Sequence, residues 1–263
     1  MSEKTEQIKK NVVSALESHF DYFGIDKKTG LLSKYKIKDK RLRFAGYPHI
    51  GENYADQSVR VVIVGADLGS DELKNENNGD GTYHTFETKK KQLPKDFDVY
   101  AHMAGTYATV IYLLQDSFPK FYPIVYAQDF KDSGITARRA LKRLYNDSAD
   151  ELIASFAMTN LHMFVTKGRK PKAGDENRRW FDSKAEYEFF RDELIALEPT
   201  VVIFQEPKVG KLSDDYMEDL RKSLKGCTIV RLLHPSTRKK GGYQLYKDIV
   251  MKIEAAKERI ADN

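Results

Sequence analysis

Arg60-Val61-Val62-Ile63-Val64-Gly65-Ala66-Asp67-Leu68-Gly69 decides the fold. Four β-branched residues in succession run into a turn carrying two glycines and one carboxylate. A continuous apolar run bounded by turn signals reads as a strand buried on both faces, as in a parallel sheet. Ligands of open α/β sheets bind just beyond the carboxyl ends of such strands. Asp67 therefore stands where chemistry would be done. The same carboxylate is suited to capping a turn or helix, and this segment alone leaves both readings open.

Working outward, three further strands are expected: one within Ile153–Leu161 ending at Thr159-Asn160, one at Thr200–Phe204 and one at Thr228–Leu233. Helical periodicity is expected over Glu3–Phe23 (Ile8, Val12, Ala15, Leu16 and His19 on one face), Ala101–Gln115, Thr136–Tyr145, Lys184–Leu197, Ser213–Leu224 and Tyr243–Arg259. Strands separated by helices of this length imply right-handed crossovers and a parallel sheet covered on both faces. Asp26–Arg43 is rich in Lys and is expected to be irregular and partly extended, followed by a Gly/Pro loop at Gly46 and Pro48. Ser70–Asp98 is expected to be a long polar loop, of the kind that is usually functional. Residues 1–57 read as a helical and basic elaboration packed on one α/β domain spanning 58–263.

Of 263 residues, 41% are hydrophobic and 32% charged, enough for a substantial core beneath a well-solvated surface. The formal charge of +5 permits a polyanionic partner without requiring one. The single cysteine, Cys227, excludes an intramolecular disulfide, a Cys-based zinc site and a four-thiolate iron–sulfur cluster. It flanks an apolar strand and is expected to be buried and structural. His49, His84 and His102 are too scattered for a metal site, so neither metal nor cofactor is expected. There is no signal-peptide pattern and no apolar run of bilayer length. An intracellular, cytoplasmic protein with no membrane and no obligatory protein partner is expected.

Four strand ends offer residues to one edge: Asp67, then Asn160 and His162, then Gln205 and Glu206, then His234-Pro235-Ser236. A carboxylate can stabilise a cation or orient water, Asn can pair with a base edge as donor and acceptor, and a neutral His can hydrogen-bond a developing anion. Some of these positions have plainer readings. His162 lies in an alternating apolar stretch and suits a satisfied core histidine. His234-Pro235 could simply end a strand, and Glu206 suits a surface position.

In their order and spacing these segments resemble the uracil-DNA glycosylase superfamily over roughly residues 58 to 255. Gly65-Ala66-Asp67-Leu68-Gly69 is similar to its first motif, with Asp67 at the acidic third position. In the iron–sulfur branch the acid stands second, where this chain has Ala66. His234-Pro235-Ser236 is similar to the second motif, which leads into a DNA-penetrating loop. Thr159-Asn160-Leu161 resembles the strand end whose Asn reads the base, and Glu198-Pro199-Thr200-Val201-Val202-Ile203 the third strand. His102-Met103-Ala104-Gly105 resembles the start of the helix after the first-motif loop, which puts Tyr100 where an aromatic stacks on the flipped base. The resemblance implies a three-layer αβα sandwich around a mainly parallel four-stranded sheet, with Asp67 and His234 catalytic. It implies a base pocket formed by Gly65, Ala66, Leu68, Tyr100 and Asn160. DNA contacts would come from Lys167, Arg169, Lys170, Lys172, Arg178 and Arg179, and from Ser236, Arg238, Lys239 and Lys240.

The chain departs from the pattern in several places. Leu68 replaces a proline, the 70–98 segment is inserted, and Thr237-Arg238-Lys239-Lys240 lacks the leucine that wedges into the base stack. These departures leave the target base open, from uracil to a hypermodified base of phage DNA. The expected activity is hydrolysis of an N-glycosidic bond in DNA, with a catalytically silent nucleic-acid-binding protein of the same fold as the alternative. A small-molecule hydrolase is disfavoured because Gly-x-Ser-x-Gly, a Walker loop and a dinucleotide fingerprint are all missing.

Overall fold

The computed structural model describes residues 2–37, 40–65, 83, 85–93, 106–107, 109–111, 113–114, 116–118, 147–166, 183–206 and 212–233. Helix α1 (Glu3–Glu17) begins at Ser2, whose hydroxyl accepts the Thr5 N–H, with Glu3 and Glu6 in the first turn where the helix dipole favours acid. Ile8, Val12 and Leu16 form its buried stripe. Helix α2 (Phe20–Phe23) follows at once and stops at Gly24, whose left-handed φ of 65° closes the turn.

Strands β1 (Leu31–Ile37) and β2 (Lys40–Phe44) form an antiparallel hairpin. The basic segment expected to be irregular and partly extended is a turn followed by two paired strands, with a register shift between Leu31 and Lys36. In the sequence Tyr35/Ile37 and Leu42/Phe44 alternate, but lysines and arginines around them hide the apolar signal. Strand β3 (His49–Ile50) and a 3-10 turn (Tyr54–Asp56) lead to β4 (Val61–Gly65). Helix α3 (Phe86–Gln92) lies within the segment expected to be loop. A capping box between Thr85 and Thr88 starts it. Residues 106, 107, 109–111 and 113 are helical, within the expected Ala101–Gln115 helix, as are 147–153. Then come β5 (Ala157–Asn160), β6 (Phe164–Thr166), α4 (Ser183–Leu197), β7 (Val201–Glu206), α5 (Asp214–Ser223) and β8 (Thr228–Leu233). The expected helices Thr136–Tyr145 and Tyr243–Arg259 lie outside the described residues.

Among the described residues the main sheet has five strands in the order β3-β5-β4-β7-β8. The four expected strands are all present and all parallel; β3 adds a short antiparallel edge that was expected to be loop. N-terminal residues therefore complete the main sheet, and α1 packs on α4. A second sheet, β1-β2-β6, is antiparallel throughout.

Both faces of the main sheet are covered. Val62, Val64, Ala157, Val202 and Phe204 face one apolar cluster with α1, α4 and α5. Val61, Ile63, Ile203, Val230 and Leu232 face another with Tyr107, Val110, Ile111, Leu114 and Phe156. This alternation is why an unbroken Val/Ile run was needed: each successive residue enters a different core. Among the described residues no helix is long and apolar enough to cross a membrane.

Candidate functional site

In chain order the parallel strands β5-β4-β7-β8 run second, first, third, fourth. The chain leaves β4 for one side, then crosses back over it to build the other. Strand order therefore reverses between β4 and β7, and in open α/β sheets the crevice beyond the carboxyl ends at such a reversal holds the ligand.

The residues at this edge are Gly65 on β4, Asn160 on β5 and Gln205 on β7. Gly65 and Asn160 are register partners, and the Leu161 N–H donates to the Gly65 carbonyl at 2.8 Å. A Cβ at position 65 would meet the Asn160 Oδ1 at 3.0 Å. Glycine is needed here so that the half-buried Asn160 amide can lie across the end of β4. Gln205 is buried, and its Nε2 donates to the Thr106 hydroxyl at 2.8 Å, tying the end of β7 to the helical residues that cover that face.

A shallow cleft opens beside this edge. It is lined by the 45–48 segment, by Lys89 of α3, and by Thr159, Asn160, His162 and Met163. His162 is half-buried: its Nε2 lies inside the protein, its Nδ1 is 3.5 Å from Glu186 Oε1, and it lines the cleft. Glu186 Oε1 also accepts the Met163 N–H at 3.2 Å, so one carboxylate fixes both the loop and the ring beside it.

Behind Thr159, on α4, lies Glu193, 0% exposed. Burial pushes its carboxyl up to about 8, while the Thr159 hydroxyl and the Lys89 ammonium pull the other way. Neither carboxyl oxygen has a well-formed hydrogen bond. A neutral acid is the form such an environment tolerates. Sequence reasoning passed over Glu193, yet the signal was there. It stands four after Phe189, three after Phe190 and four before Leu197, on the buried stripe of α4.

His49 is another buried titratable group, 1% exposed, its Nε2–H donating to the Ile153 carbonyl at 2.7 Å. Burial pushes it down to about 4, and Lys89, Lys90 and Lys9 add to the effect. Cys227 is half-buried rather than fully buried; burial still pushes its thiol up to about 12.

The structure thus brings Gly65, Asn160 and His162 together, with Gln205 at the end of the next strand but one. Asp67, Ala66, Leu68, Tyr100, His234 and Ser236 lie outside the described residues. So do the basic positions Lys167, Arg169, Lys170, Arg178, Arg238, Lys239 and Lys240. Val64, Phe204 and Arg231 share one rung of the sheet. Asp67 and His234 each stand three positions beyond that rung in sequence.

No family model matches the chain, and neither the curated proteins nor the solved structures contain a match.

Proposed function

We propose that the protein is a DNA glycosylase with a uracil-DNA glycosylase-like αβα architecture. It turns one base out of DNA and hydrolyses its N-glycosidic bond to leave an abasic site. The observation that carries this reading is the Asn160 amide lying against Gly65 at the carboxyl edge, beside the reversal in strand order. An amide presents donor and acceptor together, which is what the pairing edge of a base requires.

Extruding a base costs about a few kcal/mol in unstacking and unpairing. Lysines and arginines that neutralise phosphates offset that cost without reading sequence. Cleavage then develops positive charge on the sugar and negative charge on the departing base, broadly as in sugar hydrolysis. Asp67 orients the attacking water and stabilises the oxocarbenium-like sugar, His234 donates a hydrogen bond to the leaving base, and Tyr100 stacks on the ring. The strand geometry supports these roles: β4 and β8 end on one edge with only β7 between them, about 10 Å apart. That separation suits two groups acting on one nucleotide.

The test is to incubate the protein with duplexes carrying uracil or other altered bases, and with phage DNA containing hypermodified bases. Alkaline strand cleavage then scores abasic sites. Cleavage at one class of base is the expected result. Binding without base release on every DNA would make the chain a silent nucleic-acid-binding protein, and turnover of free nucleosides would make it a small-molecule hydrolase.

A further inference from the structure

Ten residues of the β1–β2 hairpin, 34 to 43, carry six Lys or Arg against one Asp, a net +5 equal to the formal charge of the entire chain. Every other part of the protein, taken together, is neutral. This concentration lies on an antiparallel pair of strands whose register shifts between Leu31 and Lys36. Lys36 and Arg41 are register partners across the antiparallel pair, and Lys40 is paired with Ile37 in the next position. Like charges directly opposite one another destabilise a sheet, so the hairpin folds against its own electrostatics.

One bland explanation is available and fails. Lysines on an edge strand discourage sheets from pairing edge to edge, and β1 is an edge. But β2 is the central strand of its sheet, paired on both sides, and it carries Lys40, Arg41 and Arg43. Edge protection does not require charge there. Arg43 is 6% exposed, and Lys34 donates to the Asp21 carbonyl at 2.8 Å. Of the other four, Lys36, Lys40 and Arg41 stand on the strands themselves, at the paired rungs nearest the turn.

The position of the hairpin indicates its partner. β2 runs directly into Ala45, which walls the cleft that Asn160 and His162 line, and the Ala45 N–H donates to the Met163 carbonyl at 2.8 Å. The third strand, β6, starts four residues after Asn160 and pairs with β2 from Phe44 to Leu42. The basic sheet is therefore fastened to the candidate site at one end. Its charged rungs lie about 15 Å away along β2, at about 3.3 Å per residue.

We infer that the β1–β2 hairpin is a nucleic-acid backbone contact, with Lys36, Lys40 and Arg41 on phosphates about four to five nucleotides from the target base. The inference rests on the glycosylase reading only in naming DNA as the polyanion. Its contacts are sequence-independent, because phosphates position a duplex without identifying it.

The experiment measures the affinity of the full chain for a labelled mixed-sequence duplex as a function of salt. It compares Lys36→Gln/Lys40→Gln/Arg41→Gln with a control that loses the same charge elsewhere, Arg221→Gln/Lys222→Gln/Lys225→Gln at the end of α5. The hairpin variant should bind about a hundredfold more weakly at moderate salt, with a log–log salt slope flatter by about 2 to 3. The control should bind within a few-fold of the parent. The hairpin effect should vanish on duplexes ending fewer than about four nucleotides from the target base on the hairpin side. Should the triple variant fail to fold, Lys36→Gln and Arg41→Gln singly should each flatten the slope by about one.

Equal weakening by both triple variants, or unchanged binding by the hairpin variant, overturns the inference. So does a hairpin variant that loses binding to phosphatidylserine vesicles while keeping DNA. Abasic-site assays on the same samples keep the two proposals apart. A parent protein that binds through the hairpin but releases no base removes the glycosylase reading alone. Base release with a dispensable hairpin removes this inference alone.

Discussion

In the main sheet, Val61 to Val64 alternate between two apolar cores, and each strand is held from both sides by helices. In the small sheet, Leu32, Phe44 and Phe164 face the core while lysine and arginine occupy neighbouring positions. Helix α4 serves both. Its Phe190 meets Phe204 of the main sheet, and its Phe189 stacks on Phe44 and approaches Phe164 of the small one. The comparison teaches where stability and charge reside. A sheet covered on both faces carries few charges, and its Arg231 is paired with Asp214. A sheet anchored by one aromatic face can carry opposed cations on its strands, because the anchor offsets their repulsion.

Truncating the anchors should have the largest effect. Phe44→Ala and Ile63→Ala remove fully buried side chains from the small and main sheets, and each should cost about 2 to 5 kcal/mol in denaturant unfolding. If Phe44→Ala costs under about 1 kcal/mol, the small sheet is not anchored as described.

Next in size is the pH dependence of the layer joining the sheets. Glu193 has a folded-state pKa raised to about 8, so the folded state holds its proton where the unfolded chain has lost it. That stabilisation is complete below the ordinary carboxylate range and disappears as pH rises towards about 8, a change on the order of a few kcal/mol. Glu193→Gln should match the parent near pH 5 and melt higher than it near pH 9. His49 acts in the opposite sense. Its pKa is depressed to about 4, so its contribution is present above about 6.5 and is lost as pH falls through 4. Thermal melts that are flat in pH on both sides would contradict the burial of these two groups.

A smaller effect tests the edge itself. Gly65→Ala puts a methyl group 3.0 Å from Asn160 Oδ1. The amide must then shift by a few tenths of an ångström, at a stability cost of about 1 kcal/mol or less, with a reduction in base release of about tenfold or more. Asn160→Ala should abolish the difference between glycine and alanine at 65. The smallest effect is Lys36→Gln without DNA, where removing the charge opposite Arg41 should leave stability unchanged or raise it by under about 1 kcal/mol.

The strands of the main sheet were legible because Val61–Val64, Thr200–Phe204 and Thr228–Leu233 announce burial on both faces. Their carboxyl-edge residues followed from the same pattern. The hairpin was not legible: in Lys34-Tyr35-Lys36-Ile37 the alternation carries charge at every second place, and β6 completes the sheet from more than a hundred residues away. His162 was legible only in part. An alternating stretch shows which face a residue shares with its neighbours, but not that Ala45–Pro48 would stop short and leave a cleft. Glu193 was visible as a charge on a buried helical stripe, though no local feature distinguishes a buried acid from one that ends up at a helix rim.

The most direct test of the central claim is single-turnover base release by Asp67→Ala, with enzyme in excess over a duplex that the parent protein cleaves. The account expects a fall of about a hundredfold or more in rate, with affinity for the same duplex unchanged. Base release by Asp67→Ala at the parent rate would contradict it.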